Sequence, residues 1–134
     1  MKKKILIIIA DYYKDISSGL LKSANSRLKN SFKIKIIKVP GVFEIPVTVS
    51  KNIKKFDAFI ALGCVIKGKT DHYYFISQAV TTALMNLSIQ SKKPIGFGIL
   101  TCNNLKQAKE RSSTLKKNKG KEVASGIISI LKNK

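Results

Sequence analysis

The stretch Ala58-Phe59-Ile60-Ala61-Leu62-Gly63-Cys64-Val65-Ile66, continued by Lys67-Gly68-Lys69-Thr70-Asp71-His72, decides how this chain is read. From Gly63 to Thr70 it matches the phosphate-loop pattern G-x-x-x-x-G-K-[ST], and it ends on the only histidine of the protein. A phosphate loop must leave the strand and curl, so that successive backbone N–H groups wrap the anion. Its variable positions here are Cys64-Val65-Ile66-Lys67, and the β-branched pair Val-Ile favours extended backbone. The apolar run that starts at Ala58 is therefore expected to continue as strand through Ile66, which leaves too little loop for a nucleotide. A narrower expectation survives. Gly68-Lys69-Thr70 lies at a strand-to-helix junction, where free N–H groups, the helix macrodipole, a cation and a hydroxyl all favour an anion. Thr70 or Asp71 would cap the helix, and the plain alternative is an ordinary capped helix start. His72 falls one or two residues inside. Beside an anion its imidazole can serve as general acid or base near neutral pH; otherwise it is a surface residue.

Three further apolar runs read as strands: Ile5–Ala10, Ile34–Val39 and Pro94–Leu100. All but the Ile34 run are nearly continuously apolar, as strands covered on both faces of a parallel sheet are. Lys33-Ile34-Lys35-Ile36-Ile37-Lys38 alternates and suits an edge. Helical stripes fill the gaps: Ile16, Leu20, Ala24 and Leu28; Ile76, Val80, Ala83, Leu84 and Leu87; Val123, Ile127, Ile130 and Leu131. A shorter helix is expected from about Glu44 to Lys55, with Pro46 in its first turn. Another is expected after Asn103 or Asn104 as N-cap. The order β-α-β-α-β-α-β-α-α predicts one α/β domain over residues 1–134, a three-layer sandwich on a four-stranded parallel sheet. Ligands of such sheets bind beyond the carboxyl ends of the strands. The segments there are Asp11–Asp15, Pro40–Glu44, Lys67–His72 and Thr101–Asn104.

The formal charge of +19 over 134 residues invites a nucleic-acid reading. Yet only Arg27 and Arg111 among the 26 basic residues are arginines, and the lysines are scattered rather than clustered. With Ile and Asn also abundant, the charge reads mainly as composition bias, and no specific nucleic acid is expected. Cys64 and Cys102 are too few for a disulfide framework or a metal cluster and read as reduced packing residues. Lys2-Lys3-Lys4 before Ile5–Ala10 looks like the start of a signal peptide. The apolar run is too short, and Asp11-Tyr12-Tyr13-Lys14-Asp15 offers no cleavage site. No run reaches membrane-spanning length, so a soluble, cytoplasmic protein is expected.

Pro40-Gly41-Val42-Phe43-Glu44-Ile45-Pro46, then Ala61–Gly68 with Thr70 and His72, then Phe97-Gly98-Ile99-Leu100-Thr101 stand in a distinctive order. With Gln107-Ala108, Glu110-Arg111 and Asn118-Lys119-Gly120, they make nearly the whole chain resemble the lumazine synthases of riboflavin biosynthesis. The resemblance implies a flavodoxin-like fold and a transferase that condenses 5-amino-6-(D-ribitylamino)uracil with 3,4-dihydroxy-2-butanone 4-phosphate. It implies no metal and no organic cofactor. Carried over residue by residue, His72 would shuttle protons. Lys69, Thr70, Arg111 and Lys119 would surround the phosphate, and Tyr12 would stack on the pyrimidine. Val42, Phe43 and Glu44, with Cys64, Val65 and Ile66, would line the uracil and ribityl pocket largely through backbone groups. Phe97 would contact substrate. In the family, the equivalents of Phe97, Arg111 and Lys119 come from a neighbouring subunit.

The partners so implied are small-molecule substrates and further copies of the chain. The basic unit would be a pentamer, with an icosahedral shell of sixty subunits left open, and a functional link to riboflavin synthase would follow. Lys69 departs from the family's usual Glu or Ala and is expected to add charge at the phosphate pocket. Tyr12 replaces the usual Phe. Ser112–Lys117 lacks the glycines typical of shell-formers. A basic nucleic-acid-binding protein and a phosphate-loop NTPase are the alternatives.

Overall fold

The structure is a computed structural model that describes residues 2–133. Four parallel strands, β1 (Lys4–Ala10), β2 (Lys33–Val39), β3 (Ala58–Ile66) and β4 (Ile95–Cys102), form one sheet in the order β2-β1-β3-β4. Five helices cover it: α1 (Lys14–Leu28), α2 (Ile45–Lys51), α3 (His72–Ser91), α4 (Leu105–Ser112) and α5 (Lys119–Lys132). The alternation along β1 explains the three layers. Ile5, Ile7 and Ile9 face one core, shared with Leu20 and Leu28 of α1, Ala108 of α4 and Ile127 of α5. Leu6 and Ile8 face the other, shared with Ile45 and Val49 of α2 and Val80 and Leu84 of α3. Both faces of the central strands are dry, which is why their sequences read as unbroken apolar runs.

β2 is an edge strand, as its alternation predicts, and the other edge is β4. The strand order reverses between β1 and β3, so a crevice opens there at the carboxyl ends. Three boundaries differ from expectation. A single 3-10 turn, Val42–Glu44, precedes α2, and α2 ends at Lys51 rather than near Lys55. The Asn52 side-chain amide donates to the Thr48 carbonyl at 2.8 Å, while the Asn52 N–H turns to Val49. That side chain takes the place of the next helical N–H and stops the helix. β4 runs two residues past Leu100 because Cys102 pairs with Ile66.

Among the described residues, no helix is long and apolar enough to cross a membrane.

Candidate active site

The phosphate-loop pattern dissolves in the sheet. Gly63, Cys64, Val65 and Ile66 pair with Ile99, Leu100, Thr101 and Cys102, so the would-be loop is strand. Its partner on the other side stops earlier: the β1 ladder ends at Ile9↔Leu62. The Phe59 and Lys67 N–H groups donate to the carbonyls of Pro94 and Cys102, on the β4 side. In a strand these directions alternate, so the N–H and C=O groups of Cys64 and Ile66 face the side that β1 has vacated. A short run of strand backbone thus points its polar groups into the crevice at the switch point.

The other walls of the crevice come from the ends of β1 and β2. Tyr12 follows β1 and is 75 % exposed, with its ring edge-on to Tyr13 at 4.9 Å. The Ser17 hydroxyl, buried in the first turns of α1, donates to the Ala10 carbonyl at 2.7 Å and ties that helix to the strand end. Val42 is buried while Phe43 beside it is 61 % exposed. The 3-10 turn can lie this close because residue 63 is glycine: a Cβ there would stand 2.8 Å from Val42 Cγ1 and 3.1 Å from Ala10 Cβ. Gly68, Lys69 and Thr70 are exposed, and His72 is the first residue of α3, also exposed. The Thr70 hydroxyl accepts from the His72 N–H at 3.4 Å, a long bond, and the Asp71 side chain makes no cap. The capping expected of this pair is therefore weak, and the first N–H groups of α3 keep their capacity for an anion. Lys67 sits over the Tyr74 ring at 5.5 Å.

Phe97, Arg111 and Lys119 assemble elsewhere. They line one cavity of about 440 Å³ beside β4, together with Thr101, Lys117 and Glu122. None of Tyr12, Phe43, Glu44, Lys69, Thr70 or His72 lines it. Lys119 meets Glu122 at 3.6 Å, and Arg111 reaches the Cys102 sulfur at 3.8 Å. The residues singled out from sequence thus fall into two groups, one around the crevice and one at the edge strand. Thr101 belongs to a quoted motif and could have been found. Lys117 and Glu122 carry no signal in a lysine-rich chain.

The two cysteines are free and lie side by side in the core beneath β3 and β4. Burial, then the neighbouring Cys102 and its hydrogen bond, push the Cys64 thiol up to about 12. It stays protonated and is no nucleophile. Burial, and after it the nearby Cys64, also raises the Tyr13 phenol. Among the described residues, no three His, Cys, Asp or Glu side chains are grouped to hold a metal.

Comparison with known proteins identifies the family. The family model described as 6,7-dimethyl-8-ribityllumazine synthase matches residues 2–134. A relative named 6,7-dimethyl-8-ribityllumazine synthase, from Buchnera aphidicola subsp. Baizongia pistaciae, is 48% identical over 130 residues, which span 92% of this chain and 82% of that protein. With the parallel sheet, the crevice at its switch point and the motif residues at the strand ends, these matches place the chain in the 6,7-dimethyl-8-ribityllumazine synthase family.

Proposed function

We propose that the chain forms 6,7-dimethyl-8-ribityllumazine from 5-amino-6-(D-ribitylamino)uracil and 3,4-dihydroxy-2-butanone 4-phosphate, in a site shared by two copies of the chain. The observation that carries this reading is the division of the motif residues. The crevice offers an exposed ring at Tyr12, the turn Val42–Glu44, and open strand backbone at Cys64 and Ile66. Together they suit a flat heterocycle with donors and acceptors along its edge. Lys69 and Thr70 begin a phosphate site, but Arg111 and Lys119 stand at the β4 edge around a different opening. A second copy that presents its β4 edge to the first copy's crevice would complete the pocket.

The edge itself supports that role. β4 carries no charged residue from Ile95 to Cys102, and nothing in the chain pairs with its outer side. An open, uncharged edge of this kind, unpaired among the described residues, is one that a second chain can cover. Phe75, Met85 and Ile89 on α3 and Val47 on α2 are exposed as well, and a further copy is the simplest cover for them. A closed ring follows if each copy uses its crevice on one side and its β4 edge on the other. We take that ring to be a pentamer.

In this site the pyrimidine amine attacks the ketone, and water leaves to give an imine. Phosphate is then eliminated, the ring closes, and a second water departs. The phosphate stays anionic throughout and is held by Arg111, Lys119, Lys69 and Thr70. A guanidinium can grip it through two parallel N–H bonds. His72 moves the protons, standing at the helix start beside the same anion. Much of the rate comes from holding two substrates in register.

The test is to mix the protein with both substrates and follow lumazine absorbance and fluorescence, with the spontaneous condensation subtracted. Product formation above that background is expected. A folded, assembled protein that adds nothing to the background would overturn the reading.

A further inference from the structure

We infer that Asn118 is a positioning residue for the phosphate pocket: its one side chain fixes the backbone on which both Arg111 and Lys119 stand. The inference rests on the reading of that pair as the phosphate contacts. Asn118 is 4 % exposed, one of very few buried polar residues among those described. Its Nδ2 donates to the Ser112 carbonyl at 2.9 Å, to the Gly19 carbonyl at 3.2 Å and to the Ser113 carbonyl at 3.3 Å. Its Oδ1 accepts from the Gly120 N–H at 2.7 Å and the Lys121 N–H at 3.3 Å. An amide has two N–H donors and one oxygen with two lone pairs. Every one is used, with one proton shared between two carbonyls.

These bonds join three elements. The carbonyls of Ser112 and Ser113 end α4, Gly19 belongs to the middle of α1, and the two N–H groups open α5. The crossing is tight. A Cβ at Gly19 would stand 2.1 Å from the Ser112 carbonyl oxygen, and one at Gly120 would stand 2.2 Å from that of Leu20. Nothing apolar does this work in the connecting loop, where Leu115 is 92 % exposed. Arg111 directly precedes Ser112, and Lys119 directly follows Asn118. The spacing of the two backbones that carry the cations is therefore set through a single amide, one flexible side chain away from the anion they would share. Asn118→Asp keeps the size and the two accepted N–H bonds. It replaces the donor with an acceptor aimed at three carbonyls, which frees the end of α4 from the start of α5.

The experiment compares the parent with Asn118→Asp, Arg111→Ala, Lys119→Ala and Leu28→Ala. Leu28 is buried in the core at the far end of α1 and serves as a variant of lowered stability with an intact pocket. For each, kcat, both KM values and inhibition by inorganic phosphate are measured well below the unfolding midpoint, with assembly checked by sedimentation. Asn118→Asp should raise the KM for the butanone phosphate and the phosphate inhibition constant by about tenfold or more, the scale on which small misplacements act. The KM for the pyrimidine should stay within about twofold, and Leu28→Ala should move neither constant. If Asn118→Asp only lowers stability, as Leu28→Ala does, while Arg111→Ala and Lys119→Ala still weaken phosphate, the positioning role is wrong and the pocket stands. If Arg111→Ala and Lys119→Ala leave phosphate inhibition unchanged, the pocket itself is misread and the inference falls with it.

Discussion

Gly19→Ala sets two effects of opposite sign against each other. Gly19 lies in the middle of α1, where alanine stabilises an unhindered helix by about 1 kcal/mol through helix propensity and a less mobile unfolded chain. Here the new methyl would stand 2.1 Å from the Ser112 carbonyl oxygen, a backbone atom that cannot swing aside. A carbon–oxygen contact needs about 3.3 Å, so α1 and the end of α4 would have to part by roughly 1 Å. The Asn118 amide spans that same gap, at 3.2 Å to Gly19 and 2.9 Å to Ser112, and could not hold both carbonyls after it opened. Overpacking costs about 1–3 kcal/mol and a lost hydrogen bond about 1 kcal/mol. Against the propensity gain, a net destabilisation of about 2 kcal/mol is expected. Gly126 in α5 is the control, because nothing lies within 4 Å of the place its methyl would occupy. Gly126→Ala should stabilise by about 0.5–1 kcal/mol. The assay is urea unfolding of the three proteins at one protein concentration, since the stability of an assembling chain depends on concentration. The midpoint is compared at unchanged slope. If Gly19→Ala proves as stable as Gly126→Ala, the close helix crossing has no energetic weight and this reasoning is wrong.

Four other outcomes are expected. His72→Ala should lower kcat by about a hundredfold with little change in either KM, as loss of a proton shuttle does; stopped-flow absorbance checks it. Lys69→Ala should raise the KM for the butanone phosphate, more at low than at high salt because an exposed cation is screened, and an unchanged KM would mark Lys69 as incidental. Oligomers reassembled from a one-to-one mixture of His72→Ala and Arg111→Ala chains should recover roughly a quarter of the parent activity, since a heterologous ring pairs each crevice with the next copy's edge. No recovery would place both residues in one chain's site. For Cys64 the thiol holds its proton up to about 12 in the fold, against an ordinary value of 9.0. In that window the unfolded chain binds fewer protons, so stability must fall as pH rises. Melting temperatures measured across the alkaline range should drop less steeply for Cys64→Ala than for the parent.

The fold was legible because its core is simple. Ile5–Ala10 and Ala58–Cys64 are buried on both faces, and a strand in that position has no polar side to interrupt its sequence. Lysines at alternate positions of β2 marked an edge for the same reason. The end of α2 was not legible, because an asparagine that stops a helix looks like any other polar residue until its partner carbonyl is known. The site was legible residue by residue through the motif order. The division of the motif residues was expected only through the family resemblance, which implies that the counterparts of Phe97, Arg111 and Lys119 come from a neighbouring subunit. Spacing and composition alone do not say that Arg111 and Lys119 face an opening different from the one beside His72. That depends on β4 lying at the sheet edge, and strand order is a property of the whole chain. Asn118 was visible only as part of a motif. Its weight comes from carbonyls at residues 19, 112 and 113, which no local pattern connects.

In the proposed ring, the two edges of the sheet play different parts for a chain of such high charge. β2 presents Lys33, Lys35 and Lys38 to solvent, and a lysine-lined edge repels another strand. β4 has no charge along its length, as is also true of β3 and α3. The cavity of about 630 Å³ at the first half of β4 is lined by Ile95, Phe97, Val123, Ile127 and Ile130, with Lys92 and Lys93 at its border, and the one at its second half by Arg111, Lys117 and Lys119 with Glu122. In the proposed ring, one half of the edge offers apolar groups to a neighbour, while the other brings cations toward the next copy's phosphate site. Like charges oppose assembly over about 10 Å at moderate salt. A phosphate held between Arg111 and Lys119 of one copy and Lys69 of the next would relieve that repulsion at the joint itself. In the proposed ring, the substrate is therefore part of what holds neighbouring copies together, and the contact that completes the site is strengthened by filling it.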